Sequence, residues 1–195
     1  MSDTNIKIAV IIGSVREGRF GDKPAHWIFD EAKKLPGVEV ELIDLKEIRL
    51  PTFATPGYPS AVQDGNYGSD IVNTFAKSIG SADAFIIVSP EYNHGYSSAL
   101  KDALDSIYKE WNNKPVAFIG YGSVGGGRAI EQLREVSVEL QMAPIRNAVH
   151  LPGEVYGAAM QAALGDAKPF APVAEKAATM LTQLLWWAKA LKAAR

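Results

Sequence analysis

The sequence predicts an α/β fold, a parallel sheet covered by helices on both faces, and two observations carry that expectation. Short, almost continuously apolar runs rich in β-branched residues recur along the chain. Strands buried on both sides of a parallel sheet need that composition. Stretches with apolar residues at helical spacing separate the runs, so the chain reads β-α-β-α-β-α-β-α-β-α. Such alternation implies parallel strands joined by right-handed crossovers.

Taken in order, Ile6-Lys7-Ile8-Ala9-Val10-Ile11-Ile12 is the first strand, closed by Gly13. After a loop to Gly21, Ala25, Ile28, Phe29, Ala32 and Leu35 mark a helix that Pro36-Gly37 ends. Val38 to Ile43 alternates and then turns apolar, as a second strand. Residues 49–69 are rich in Pro and Gly, carry Phe53, Tyr58 and Tyr67, and show no period. They read as a long ordered loop, a kind of segment that in compact domains tends to be functional. Ile71, Val72, Phe75, Ala76 and Ile79 form a helical stripe, and Ala84 to Val88 a third buried strand. A polar-aromatic loop, 89–98, leads to a helix with Ala99, Leu100, Ala103, Leu104 and Ile107. Pro115 to Ile119 is the fourth strand, followed by a glycine-rich loop over 120–127 and a helix with Ala129, Ile130, Leu133, Val136 and Leu140. A weaker fifth strand is expected over 145–151, and a last helix from about residue 170. Five strands of this kind suit the order 2-1-3-4-5, in which ligands sit outside the carboxyl ends of the strands near the junction of strands 1 and 3. That rule selects the loops after strands 1, 3 and 4.

Composition narrows the chemistry. A chain of 195 residues suits a single domain, 1–195, and 47% hydrophobic with 22% charged residues is ordinary for a globular protein. A net charge of -2 argues against nucleic-acid binding and against a polybasic membrane surface. With no cysteine there is no disulfide, thiolate nucleophile, Cys-ligated zinc or iron–sulfur cluster. His26, His94 and His150 are far apart in sequence and no H-E-x-x-H pair occurs, so no metal site is expected. Met1 to Asn5 is polar, which speaks against a secretory leader, and no apolar run approaches the ~18 residues of a membrane span. The expected location is the cytoplasm.

The first selected loop runs Gly13-Ser14-Val15-Arg16-Glu17-Gly18-Arg19-Phe20-Gly21. It opens a helix, whose N-terminus favours anions; Ser14 adds a hydroxyl, and Arg16 and Arg19 add guanidinium forks suited to phosphate. It is neither G-x-G-x-x-G nor a Walker A loop, so a single terminal phosphate fits better than a pyrophosphate. The second loop includes Ser89-Pro90-Glu91-Tyr92-Asn93-His94-Gly95-Tyr96-Ser97. Pro90 and Gly95 shape a backbone that a flat ligand can approach, Tyr92 and Tyr96 offer apolar faces with polar tips, and Ser97 or Ser98 suits a helix cap. His94 and Glu91 read more simply as a surface residue and a turn carboxylate than as proton carriers. The third loop, Gly120-Tyr121-Gly122-Ser123-Val124-Gly125-Gly126-Gly127-Arg128, leaves room for a planar group against the main chain. Ser123 is not a nucleophile elbow, because G-x-S-x-G needs a glycine where Tyr121 stands.

Together these loops resemble the NAD(P)H-dependent FMN reductase family of flavodoxin-like flavoproteins, which includes quinone, azo-dye and chromate reductases. The matching residues are Gly13-Ser14-Val15-Arg16, then Pro90-Glu91-Tyr92-Asn93-His94-Gly95 with Leu100-Lys101-Asp102-Ala103-Leu104-Asp105, then Gly122-Ser123-x-Gly125-Gly126. The resemblance covers residues 6 to about 150. It implies a flavodoxin-like three-layer sandwich holding FMN non-covalently, with NADPH or NADH as co-substrate. Ser14, Arg16 and the turn of Gly18, Arg19, Phe20 and Gly21 would hold the phosphate. Pro90, Glu91, Tyr92, Asn93 and His94 would line the ring, and Gly122, Ser123 and Gly125 its other edge. Many members carry serine or asparagine where Arg19 or Phe20 stands. The implied reaction is ping-pong transfer to small acceptors such as quinones, free flavin or azo compounds. The implied assembly is a homodimer or homotetramer with Tyr108, Trp111 and the 52–68 loop near the junction. A flavodoxin-type electron carrier and a nucleotide-responsive regulator on the same fold stay open, as does the nicotinamide choice, for which Arg16, Arg19 and Arg128 are candidate readers of a 2′-phosphate.

Overall fold

The computed structural model describes residues 5–195; the polar stretch 1–4 lies outside the described residues. In chain order the elements are β1 (Ile6–Ile12), α1 (Asp22–Lys33), β2 (Val38–Asp44), one-turn α2 (Leu45–Ile48), α3 (Asp70–Ser81), β3 (Ala84–Pro90), α4 (Ser98–Asp105), β4 (Pro115–Tyr121), α5 (Gly127–Glu139), β5 (Ala143–Pro144), β6 (Val149–Leu151), α6 (Gly153–Gln161) and α7 (Ala174–Ala194). Short 3₁₀ turns occupy Pro59–Ala61 and Lys168–Val173. The sheet is parallel throughout, in the order 2-1-3-4-5, with β5 and β6 sharing the fifth position and each pairing with β4.

The period of two along each strand divides the core between the faces. Ile6, Ile8, Val10 and Ile12 of β1, Ala84, Ile86 and Val88 of β3, and Ala117 and Ile119 of β4 face one layer, covered by α1, α6 and α7. Ala9, Ile11, Phe85, Ile87, Val116 and Phe118 face the other, covered by α3, α4 and α5. On the first face Trp27 stacks on Phe170 at 4.6 Å. On the second, Trp111 meets Phe85 at 4.9 Å and Phe75 at 6.1 Å. Trp111 is therefore buried within the chain and offers no face to a second subunit.

Several boundaries differ from the sequence reading. β3 and β4 run two residues further, because Ser89 still pairs with Gly120 and Pro90 with Tyr121. The fifth strand is broken rather than continuous over 145–151. Between its two segments the carbonyls of Ile145 and Arg146 accept from the Arg134 guanidinium (2.6 and 2.9 Å), and the Asn147 N–H donates to Gln183 Oε1 (2.9 Å). Side chains here take the place of ladder partners. The last helix starts at Ala174, not near 170, because Pro169 and Pro172 fall in the preceding turn. The 49–69 loop is pinned: the Phe53 N–H donates to Asp102 Oδ1 (2.9 Å) and the Tyr67 hydroxyl to Glu110 Oε2 (2.6 Å).

Candidate functional site

The three selected loops meet at the carboxyl ends of β1, β3 and β4. Gly13 carries the first across β3: its N–H donates to the Val88 carbonyl (2.9 Å), and a Cβ at that position would lie 3.0 Å from the same oxygen. The Ser97 hydroxyl donates to the Gly13 carbonyl and accepts the Leu100 N–H (3.2 Å), so one side chain caps α4 and fixes the loop. Ser14 is fully buried and shares a hydrogen bond with the Tyr92 hydroxyl (2.8 Å). The Arg16 guanidinium lies 5.5 Å from the centre of the Tyr92 ring. The N–H groups of Ser14 to Gly18 find no acceptor among the described residues. A run of free N–H groups before a helix is an anion site in waiting.

Arg19 is committed elsewhere. Its Nη1 donates to the Ser14 carbonyl (2.7 Å) and Asp44 Oδ1 (2.6 Å), its Nη2 to Asp44 Oδ2, and its Nε to Asp22 Oδ1 (2.7 Å). The guanidinium thus ties the loop to the ends of β2 and α1. Burial alone would raise the Asp44 carboxyl, but the bonds from Arg19 and the Lys46 N–H outweigh it and hold the group below its ordinary range. Phe20 is buried between Tyr121 (5.0 Å, edge-on) and Tyr156 (4.3 Å). Gly21 makes room for Tyr121, whose hydroxyl would lie 2.8 Å from a Cβ there. That hydroxyl is enclosed and meets no hydrogen-bond partner among the described residues, and burial pushes its pKa up.

In the second loop Tyr92 and Gly95 exchange backbone hydrogen bonds (2.8 and 3.0 Å), with Asn93 (φ 50°) and His94 (φ 71°) at the tip. Two positive φ values in succession are the signature of a type I′ turn. Glu91 does more than a turn carboxylate. Its side chain is buried, accepts from the Arg128 N–H (3.0 Å) and the Arg128 Nε (2.6 Å), and so clasps the first turn of α5. Arg128 in turn donates from Nη1 to His94 Nε2 (2.7 Å). Burial would raise the Glu91 carboxyl, but the Arg128 bonds hold it below the ordinary range. Glu91→Gln keeps the shape, loses the charge and sets an amide N–H₂ against a guanidinium. It is expected to cost about 2 kcal/mol, or about 6 °C in thermal midpoint. The unfolded carboxyl titrates near about 4.3. Because folding depresses its pKa, the wild-type advantage is full above that pH and fades as acid protonates the folded carboxylate. Circular dichroism melts at pH 7 and at pH 3 check both; equal midpoints at pH 7 would remove the clasp.

In the third loop Gly122 (φ 147°) passes Glu91, whose Cβ would lie 3.1 Å from a Cβ at 122, and the Gly125 N–H donates to the Gly122 carbonyl (3.0 Å). Ser123 is exposed at the rim. The cleft between the loops has a volume of about 520 Å³ and is walled by Arg16, Phe20, Pro90, Tyr92, Tyr121 and Ser123 among others. Gly18, Arg19, Glu91 and Gly122 also border it, while Gly13, Ser14, Gly21, Asn93, His94 and Gly125 do not line it. Sequence reasoning missed the remaining wall, Gly153, Tyr156 and Met160 of α6. The signal was Val155 and Ala159, buried one turn apart, but Gly153 and Gly157 weaken any helical reading.

Comparison with known proteins adds to this geometry. The model of the family described as NADPH-dependent FMN reductase matches residues 6–155. The NAD(P)H-dependent FMN reductase C4B3.06c of Schizosaccharomyces pombe is 37% identical over 148 residues, 75% of this chain and 74% of the relative. The NADPH:quinone oxidoreductase of Arabidopsis thaliana is 34% identical over 142 residues, 70% of this chain and 69% of the relative. Among solved structures, FerB, a flavoenzyme NAD(P)H:(acceptor) oxidoreductase from Paracoccus denitrificans, superposes with a TM-score of 0.65 at 21% identity, over 95% of this chain and 98% of that one, a likeness of fold. The family match spans all three loops of the cleft and stops as α6 begins; on that match the chain belongs to the NADPH-dependent FMN reductase family.

Proposed function

We propose that this chain is an FMN-dependent NAD(P)H oxidoreductase that passes electrons to quinones, free flavin, azo compounds or similar small acceptors. The observation that carries the reading is the single cleft where unpaired loop N–H groups, Arg16 and an aromatic wall adjoin. The residues fit FMN. The free N–H groups of Ser14 to Gly18, with Arg16, suit its terminal phosphate. The enclosed, unpartnered Tyr121 hydroxyl marks the adjoining floor as polar. Pro90 to Tyr92 and Gly122 to Ser123 present main chain to a flat ring, and the Ser123 N–H donates to nothing else among the described residues. Bound FMN would supply hydride acceptance from the nicotinamide and electron donation to the acceptor, while the protein supplies position, electrostatics and access.

Within that scheme Arg16 and the first loop anchor the phosphate, and Arg19 braces the loop from behind. Glu91 fixes the second loop against α5, so the Asn93–His94 turn keeps its place at the rim. One cleft for both partners makes the reaction ping-pong. The reading also takes the working form as a homodimer or homotetramer in the cytoplasm, where NAD(P)H is found; sizing chromatography that gives only monomer at micromolar concentration overturns the oligomer. The central test is an anaerobic titration. Purified protein with FMN is expected to be yellow, to lose its visible absorbance on adding NADPH or NADH, and to give parallel double-reciprocal plots with a quinone. A protein that ignores FMN ends the reading, and bound FMN that no nicotinamide reduces favours an electron carrier.

A further inference from the structure

Trp186 of α7 is the largest apolar side chain left mostly exposed among the described residues, at 64%. Trp187, half-buried against the core, meets it edge-on with ring centres 5.4 Å apart, so the exposed indole is braced at the surface. A shallow groove of about 640 Å³ runs from it back along the helix to Glu175, about three turns. At about 3.6 residues per turn, Glu175, Ala178, Thr179, Thr182, Trp186 and Lys189 share one stripe, and all of them are exposed. The opposite stripe, with Met180, Leu181 and Leu184, is buried against the sheet.

The exposed stripe can be covered without stranding its polar atoms. The Thr179 hydroxyl donates to the Glu175 carbonyl and the Thr182 hydroxyl to the Ala178 carbonyl, each at 2.9 Å. Both are satisfied within the helix, and the small side chains at 178, 179 and 182 let a second helix come close. Charge stands only at the two ends. Glu175 and Lys189 lie equally far along the chain on either side of Thr182, and neither has an ion-pair partner among the described residues.

A helix with this layout is complementary to itself. Turned antiparallel about a two-fold axis at Thr182, Glu175 meets the partner's Lys189 and Trp186 meets the partner's Ala178 and Thr179, twice over. Isologous contacts demand such self-complementarity. A parallel pairing would set Glu175 against the partner's Glu175. We propose that this stripe of α7 is an interface between two copies of the chain, an antiparallel helix pair anchored by Trp186. The inference rests on the homo-oligomeric reading above and gives it a surface. One helix pair is at the low end of stable interface sizes, so association is expected at micromolar concentration.

The test is sedimentation velocity with cross-linking. Trp186→Lys is expected to weaken association at least about tenfold, the scale of a lost anchor, at an unchanged thermal midpoint. Glu175→Lys is expected to weaken it about threefold, the scale of exposed pairs, and Glu175→Lys with Lys189→Glu to restore it. The chain has no cysteine. Thr182→Cys, on the axis, is therefore expected to give a disulfide-linked dimer on mild oxidation, and Glu135→Cys, on α5 across the sheet, to give none. A double charge variant no better than Glu175→Lys removes the antiparallel pairing. Association unmoved by Trp186→Lys, with Thr182→Cys linking no better than Glu135→Cys, overturns the inference and leaves the oligomer standing on another surface. A wild type that stays monomeric throughout ends both. None of the stripe borders the first cleft, so the FMN titration is independent of every outcome.

Discussion

Gly126→Ala is expected to cost about 4 kcal/mol, the sum of about 1–3 for a left-handed non-glycine residue and about 1–3 for overpacking. Gly126 has φ 74°, and a Cβ there would lie 2.6 Å from Gly120 Cα and from the Tyr121 nitrogen. Both neighbours are backbone, in a strand held on two sides, so neither can give way. At this chain length the loss is about 12 °C in thermal midpoint. Gly127→Ala is the internal control: a Cβ at 127 meets nothing within 4 Å. Position 127 begins α5, and alanine there is expected to hold or slightly raise the midpoint. If Gly126→Ala and Gly127→Ala melt together, the two backbones of the third loop do not touch as described. On the proposed reading FMN affinity is expected to fall with it, because this contact sets where Gly122 and Ser123 stand.

Arg19→Ala is expected to cost about 3 kcal/mol, near the low end for removing one partner of a buried ion pair, and about 9 °C. The Arg19 side chain is only 6% exposed, and its loss strands Asp44, itself 20% exposed, and Asp22. The variant is also expected to bind FMN at least about tenfold more weakly, since the order of loop 13–21 depends on the brace. Arg16→Ala is the contrast. Arg16 is exposed, so its variant is expected to weaken FMN without moving the midpoint. The sign with pH follows from Asp44. Its carboxyl is depressed in the fold, so the Arg19–Asp44 contribution is full above about pH 3.9, the unfolded value, and disappears as pH falls through the folded one. The gap between wild type and Arg19→Ala should therefore close in acid. Melts from pH 7 down to pH 3, with FMN fluorescence quenching at pH 7, decide it; a midpoint unchanged at pH 7 would return Arg19 to solvent.

The elements that local pattern specifies were readable. β1, β3 and β4 announce themselves because strands buried on both faces must be apolar at nearly every position, and α1, α3, α4 and α5 because one face repeats every three to four residues. α2 is a single turn, too short for a period, and α6 carries two glycines. The broken fifth strand depends on Arg134 and Gln183, which arrive from other elements. At the site the three loops were readable from glycine, proline and arginine placed after strands. The division of labour within them was not: Arg19 reads as a phosphate ligand until Asp44, twenty-five positions away, takes its guanidinium. Glu91 likewise reads as a turn residue until the N-terminus of α5 closes on it.

The sequence by itself determined the parallel sheet, its order, and which three loops stand at the carboxyl ends of its strands, because burial and backbone conformation leave local marks in residue type. Only the tertiary structure decided which charges are free and which are spent. A side chain's partner is set by distance in space, and the spacing of residues along the chain does not record it.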